Sequence, residues 1–389
     1  MQITRRGVFA AAVAFGAVLQ PALAEDGVTD DTVVFGQAAV LEGPASALGL
    51  GMRIGLQAAF DEANAKGGVH GRKLKLISEN DGYEPDRAIA ATRKLIEDHK
   101  VFALIGAVGT PTSAAAQPIA TAARVPFIGA FTGASFLRNP KLENVINIRA
   151  SYAAETESWV QHLTEDLKVS KIAIFYQDDA FGRSGLDGVT AALKRRKLEL
   201  TAEATYERNT VAVKTALLAL KRAEPEAVVI VGAYKPVATF IKLARQIGFN
   251  PTFVNISFVG AIALAKELGP EGKGVIVSQV VPFPWDASLP VVADYQAAIK
   301  SAGGQPDFVT LEGYLAGRLA IAALDKMGAD VTREGLLRAV KETGKFDIGG
   351  LPMTFSANKN EGLDQVFMTV IQADGSFKAV EKLVKVSRN

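Results

Sequence analysis

Hydrophobic and polar positions settle into two alternating periods from Thr32 onward. Thr32–Ala39 is an apolar, β-branched run that reads as a buried strand. Residues 48–66 place Ile54, Leu56, Ala59, Phe60 and Ala63 at helical spacing and stop at Gly67-Gly68. Residues 73–78 alternate charged and aliphatic side chains, as a half-buried strand does. Residues 85–99 predict a helix with Pro85 in its first turn, where a missing N–H costs little. A strand at 101–106, a helix at 112–123 and a strand at 126–128 follow. This β-α-β-α-β-α-β order calls for a parallel sheet covered on both faces by helices.

The alternation restarts after Arg149. Helices are expected at 152–167, 185–196, 211–222 and 234–247, interleaved with strands at 171–176, 199–206, Ala227–Val231 and Thr252–Asn255. Two α/β halves therefore stand in series, alike in element order but with no residue-level repeat. Beyond Gly274, a strand at 275–281 leads into helices at 289–302, Phe308–Met327 and 332–341. The last stretch carries short strands at 365–371 and Phe377–Val380 around a turn at Asp374-Gly375. No Gly/Ser-rich or Pro-rich linker separates the halves, so short strands must join them.

The first 24 residues do not belong to this pattern. Arg5-Arg6, a 12-residue apolar run from Val8 to Leu19, and Pro21-Ala22-Leu23-Ala24 form a cleavable export signal. Cleavage is expected after Ala24. A membrane anchor needs about 20 apolar residues, so the run is too short. The arginine pair fits either a Sec or a twin-arginine route. Removing the signal takes away two bases and no acid, which leaves 41 of each in a formally neutral mature chain. The basic pI of about 8.5 is then no sign of a nucleic-acid partner.

Composition excludes much chemistry. Zero cysteine removes disulfides, thiolate nucleophiles and thiolate metal sites. Three dispersed histidines, His70, His99 and His162, make no metal centre. The Gly106-Ala107-Val108-Gly109-Thr110 segment sits where phosphate loops occur but lacks their Lys-Ser/Thr and glycine spacing. Its helix N-terminus, with hydroxyls at Thr110, Thr112 and Ser113, favours an anion such as a carboxylate. Gly129-Ala130-Phe131-Thr132-Gly133 is a second small, hydroxyl-bearing strand end, and two such ends on adjacent parallel strands can converge on one ligand. The acidic pairs Asp30-Asp31 and Asp178-Asp179 read as solvated turns, because neighbours in sequence point apart. Gly182-Arg183-Ser184-Gly185 has the wrong spacing for a nucleophilic serine. The basic run Lys194-Arg195-Arg196-Lys197 reads as a solvated helix end.

Several pieces in order carry a resemblance: Leu41-Glu42-Gly43-Pro44; Asn64-Ala65-Lys66-Gly67-Gly68-Val69-His70-Gly71; Asn80-Asp81-Gly82-Tyr83-Glu84-Pro85; the segment from Ile105 to Ser113; Tyr176-Gln177-Asp178-Asp179-Ala180-Phe181-Gly182; and Gly232-Ala233-Tyr234. Together they resemble the leucine/isoleucine/valine-type periplasmic substrate-binding proteins of ABC importers over essentially the whole mature chain. The resemblance implies an α/β fold of two Rossmann-like lobes joined by three hinge strands, the type I periplasmic-binding arrangement. By that pattern the crossings fall near 148–151, 277–281 and 354–357. The first lobe would then comprise 25–149 plus 280–354, and the second 150–279 plus 355–389.

The resemblance further implies a binding protein rather than an enzyme, without cofactor or metal. It would be a periplasmic monomer that delivers a small carboxylate or amino-acid ligand to an inner-membrane permease. A sensor coupled to a receptor would use the same fold and stays open. Carried over by position, Thr110, Ala130 and Thr132 would hold the ligand carboxylate, while Phe181 and Tyr234 close over it from the second lobe. Leu48 stands where another side chain can reach the ligand. The two positions that form a disulfide in some relatives are Tyr83 and Gly109 here. Amino-acid binders of the family place a glutamate after the strand Thr252–Asn255, against the α-ammonium; this chain has Ser257. Losing that charge-assisted bond is worth roughly 1.5–3 kcal/mol. With Phe131 and Phe258 nearby in sequence, the expected ligand is an aromatic or branched aliphatic acid, or an amino acid if Asp179 or Glu312 supplies the missing acid.

Overall fold

The computed structural model describes residues 25–384; the expected export signal lies outside them. The first series of elements is β1 (Thr32–Ala39), α1 (Ser46–Ala65), β2 (Lys73–Asn80), α2 (Pro85–Arg93), β3 (Ala103–Ile105), α3 (Thr110–Ala122), β4 (Phe127–Ile128) and β5 (Val145–Ile146). The second is α4 (Tyr152–Glu165), β6 (Ile172–Gln177), α5 (Ala180–Arg195), β7 (Ala202–Tyr206), α6 (Lys214–Arg222), β8 (Ala227–Val231), α7 (Tyr234–Gln246), β9 (Thr252–Asn255), α8 (Ala261–Leu268) and β10 (Ile276–Gln279). The chain ends with α9 (Pro290–Ser301), α10 (Phe308–Met327), α11 (Arg333–Thr343), β11 (Lys345–Ile348), β12 (Leu351–Thr354), β13 (Phe367–Ile371) and β14 (Phe377–Val380).

These elements build two lobes, each around its own sheet. The first sheet runs β2-β1-β3-β4-β5, all parallel. The second runs β14-β13-β10-β9-β8-β6-β7, parallel from β7 to β10, with β13 and β14 added antiparallel. Read from its own first strand, the parallel part of each sheet has the same order, second-first-third-fourth-fifth. The similarity between the halves is thus one of topology. In such a sheet the crevice opens at the carboxyl ends of the strands where the order reverses: between β1 and β3 in one lobe, and between β6 and β8 in the other.

The chain passes between the lobes after β5, after β10 and after β12. The first and third passages run side by side: Asn147 pairs with Glu361 in a parallel bridge, and Leu363 N–H donates to Ile148 O at 2.8 Å. Helices α9–α11 return to the first lobe, where α10 lies on α1 at backbone contact. A Cβ on Gly55 would stand 1.9 Å from Thr310 O, and one on Gly313 2.4 Å from Met52 O. Only glycine permits that approach, and it fixes α10 against the rest of the lobe.

The structure moves two helix starts that matter. Helix α3 begins at Thr110 rather than 112, because Pro111 enters the first turn. Helix α5 begins at Ala180 rather than 185, because Asp179 caps it, accepting from Phe181 N at 2.9 Å. Asp179 is therefore a buried cap and not half of a solvated pair; Asp178 does face solvent. The helix expected over 85–99 is α only to Arg93 and finishes as a π-helical turn over Lys94–Asp98. Helix α8, strand β5 and the β11–β12 hairpin were not expected. Among the described residues no helix is long and apolar enough to cross a membrane.

Candidate functional site

The ends of β3 and β4 continue past the regular sheet as paired loops. Val108 bridges Phe131, Phe131 N–H donates to Ala107 O at 2.7 Å, and Gly109 N–H donates to Phe131 O at 3.2 Å. This pairing sets Thr110 beside Thr132, with their hydroxyls 2.7 Å apart and both side chains buried. Ala130 is buried one residue pair away. Thr112 turns its hydroxyl back to Val108 O and Gly109 O, while Ser113 Oγ has no hydrogen-bond partner among the described residues.

Opposite them stand the ends of β6, β8 and β9. Phe181, in the first turn of α5, lies 5.6 Å from the Tyr152 ring and 4.6 Å from Phe258. Phe258 also meets Phe131 at 5.2 Å and Tyr83 at 6.0 Å, both from the first lobe. Rings from both lobes thus form one aromatic box. Tyr234 opens α7 with its hydroxyl 3.4 Å from Ala47 N, and Leu48 packs on Gly260: a Cβ there would lie 2.5 Å from Leu48 Cδ2.

The two lobes are shut on each other. Gln177 Nε2 donates to the Tyr83 hydroxyl at 3.2 Å, and burial raises that hydroxyl's pKa well above its ordinary value. Arg208 bridges Glu84 of the first lobe at 2.7 Å and Asp179 of the second at 2.9 Å, and Asn209 Nδ2 adds a bond to Glu84 at 2.7 Å.

At the base of the cleft, on the first passage between lobes, lies Arg149, wholly buried. Its Nη2 meets Glu155 at 3.2 Å and the Ser257 hydroxyl; its Nη1 lies 3.7 Å from Glu312 on α10. The guanidinium sits 5.1 Å over the Phe131 ring and 5.6 Å over Tyr152. Burial opposes its charge, but Glu312 and Glu155 outweigh burial and hold its pKa above the usual value. Burial pushes Glu312 up to about 7, partly countered by Arg149. Among the described residues no group of three or more His, Asp or Glu could hold a metal. The arrangement sets polar groups at two points, the threonine pair and the arginine, beside a cluster of aromatic rings.

Residues 32–376 match the model of the periplasmic binding protein family. The chain belongs to that family. A Brucella abortus relative, Leu/Ile/Val-binding protein homolog 7, is 26% identical over 326 residues, covering 79% of this chain and 81% of its own. The crystal structure of a possible leucine/isoleucine/valine-binding protein from Rhodopirellula baltica is 39% identical and superposes with a TM-score of 0.86, covering 92% of this chain and 98% of that one. A substrate-binding periplasmic protein from Ralstonia solanacearum is 27% identical with a TM-score of 0.84, covering 90% and 100%. The two-lobed α/β architecture is accordingly that of the type I periplasmic binding proteins, a family of binding proteins rather than enzymes.

In this periplasmic binding protein, Thr110, Ala130 and Thr132 come together on one wall, and Phe181, Tyr234 and Ser257 lie at the strand and helix ends of the other. Leu48 sits where the walls meet. Asp179 is committed to Arg208, Gln177 and its own helix, so of the two acids considered it leaves Glu312 alone beside the cleft base. Ser257 is not in a neighbourhood without an acid: Glu155 reaches it from α4, 2.8 Å from the hydroxyl and 2.9 Å from the backbone N–H. Arg149, Glu155 and Tyr152 were not expected at the site. Their one sequence signal is a charged pair six residues apart directly after Val145-Ile146-Asn147-Ile148, apolar but for Asn147.

Proposed function

We propose that this binding protein is the extracytoplasmic solute-binding component of an ABC importer and takes a small carboxylate ligand. The class covers branched-chain and other amino acids and aromatic or aliphatic acids. One observation carries the reading: the Thr110–Thr132 pair at the amino end of α3, facing an aromatic box across a shut cleft. Hydroxyls at a helix start suit a carboxylate, and the rings of Phe131, Phe181 and Phe258 suit the apolar remainder. Ligand docks on the first lobe, comprising 25–149 plus 280–354. The second lobe, 150–279 plus 355 onward, then closes by bending at the three passages. Closure is a population shift that the ligand sustains through contacts made only when both walls meet. The closed monomer would then present its two lobe tips to the permease in the inner membrane, from the periplasmic side.

The test is thermal unfolding of the mature chain, refolded to strip carried-over ligand, against a panel of L-amino acids and carboxylic acids. A ligand at 100 times its dissociation constant adds about 2.7 kcal/mol to the folded state and moves the midpoint by several degrees. Shifts with members of these panels, lost in Thr132→Val, are the expected result. No shift with any carboxylate, and shifts with neutral sugars or cations instead, would reject the reading.

A further inference from the structure

The hydrogen-bond inventory at the base of the cleft is unbalanced. Glu155 accepts from Arg149 Nη2 at 3.2 Å, Ser257 Oγ at 2.8 Å, Ser257 N at 2.9 Å and Ser278 Oγ at 2.5 Å. A carboxylate has about four lone-pair directions, so Glu155 is full. Among the described residues Arg149 Nε and Nη1 have no hydrogen-bond partner, and neither has Glu312 Oε1, although all three are buried. Nη1 and Oε1 face each other at 3.7 Å, too long for a hydrogen bond between them. One oxygen about 2.9 Å from each would complete a triangle.

Tyr152 ties this pair to the carboxylate end of the cleft. Its ring lies 5.6 Å below the Arg149 guanidinium, and its hydroxyl leans toward Thr132 without reaching hydrogen-bonding geometry. Tyr152 thus lies beside both polar ends.

We propose that Arg149 and Glu312 receive the substituent on the carbon next to the ligand carboxylate, and that this substituent is an oxygen: the ligands are 2-hydroxy or 2-oxo acids with an apolar side chain. The inference rests on the carboxylate reading above. A hydroxyl accepts from Arg149 and donates to Glu312, which satisfies both sides. An oxo group accepts from Arg149 and from Glu312 in its acid form. An ammonium satisfies Glu312 only; with one N–H given to Glu312 it sets its other two donors and a like charge against a guanidinium whose free donors need an acceptor. Phe131, Phe181 and Phe258 supply apolar surface for the side chain.

The test is calorimetric titration of ligand-stripped protein with two matched series. One is phenylalanine, 2-hydroxy-3-phenylpropanoate, 2-oxo-3-phenylpropanoate and 3-phenylpropanoate. The other is leucine, 2-hydroxy-4-methylpentanoate, 4-methyl-2-oxopentanoate and 4-methylpentanoate. Within the better series, the oxygen-bearing acids bind at least tenfold tighter than both the amino acid and the unsubstituted acid. Glu312→Gln, nearly isosteric, supplies a permanent N–H and shifts the affinity ratio toward the oxo acid by severalfold. If the amino acid binds as tightly as its oxygen analogues, the inference falls and the carboxylate reading stands. The same holds if the unsubstituted acid binds equally well, or if Glu312→Gln leaves the ratio unchanged. If no member of either series binds, the inference falls, and the wider panel of carboxylates decides the carboxylate reading.

Discussion

The Tyr83 ring occupies the space that a side chain at residue 109 would need. Tyr83 Cε2 lies 2.2 Å from where a Cβ on Gly109 would stand, and Gly109 holds φ at +101°. These are the two positions that the family resemblance pairs as a disulfide in some relatives. Here an aromatic ring seated on a glycine joins the same two loops, and the ring's hydroxyl then reaches across the cleft to Gln177 at 3.2 Å.

Gly109→Ala should therefore be costly twice over, through the positive φ and through overlap with a buried ring. Each contributes about 1–3 kcal/mol. The expected result is a thermal midpoint lowered by several degrees together with weaker ligand binding, because Thr110 follows directly. An unchanged midpoint would show that the loop relaxes away from Tyr83.

Arg208 is the cross-lobe clasp at the cleft mouth, and it is partly exposed. Arg208→Ala removes its bonds to Glu84 and Asp179. Exposed pairs are worth about 0.2–1 kcal/mol. A two- to fivefold rise in ligand dissociation rate is expected, with the association rate nearly constant. Stopped-flow measurement reads both rates; an effect confined to association would contradict a clasp that forms on closure.

Glu312 gives the stability a pH slope of definite sign. Burial raises its pKa from the ordinary 4.5 to about 7, so the folded state binds a proton that the unfolded chain has released between these values. Its contribution is fully present below pH 4.5 and is lost as pH rises through 7. The charged groups acting on it are Arg149, Glu155 and Arg138. Asp81, raised to about 7, and Asp307, raised to about 6, act in the same direction. Chemical denaturation between pH 4.5 and 7 should show a shallower fall for Glu312→Gln than for the parent chain.

Trp285 offers an optical report of closure. It lies between the lobes, stacked on Phe377 of β14 at 6.2 Å and edge-on to Phe308 of α10 at 5.4 Å, with 40% of its surface exposed. The other tryptophan, Trp159, is buried in α4. Bending at the second passage changes the stacking of Trp285 and not the surroundings of Trp159. Ligand addition should shift the emission of the parent chain and leave that of Trp285→Phe flat.

The elements with strong local signatures were readable from the chain. Phe308–Met327 follows a capping Asp307 and keeps helical spacing to its end, and the strands Thr32–Ala39, Ala227–Val231 and Thr252–Asn255 are bounded runs of β-branched and apolar residues. Helix α8, Ala-Ile-Ala-Leu-Ala-Lys-Glu-Leu, has no side-chain cap and only eight residues, so it carries no period long enough to read. Strands β4 and β5 have two residues each and exist through their neighbours. The threonine wall was visible because small, hydroxyl-bearing residues at two strand ends are a local pattern. The Arg149 cluster was not, because Glu155, Ser257, Ser278 and Glu312 meet it only through tertiary contact.

The matched strand order of the two sheets has an electrical consequence. Helices α1, α3, α5 and α7 each follow a strand flanking the point of reversal, so all four begin at the cleft. The aligned peptide dipoles of a helix place about half a positive unit charge at its start. Four such starts bias the cleft toward anions before any side chain is counted. A chain with nearly balanced charge, 43 basic against 41 acidic side chains, can thus draw in a negatively charged solute by its backbone geometry alone. Residue changes that retune the ligand leave that attraction in place as long as the strands keep their order.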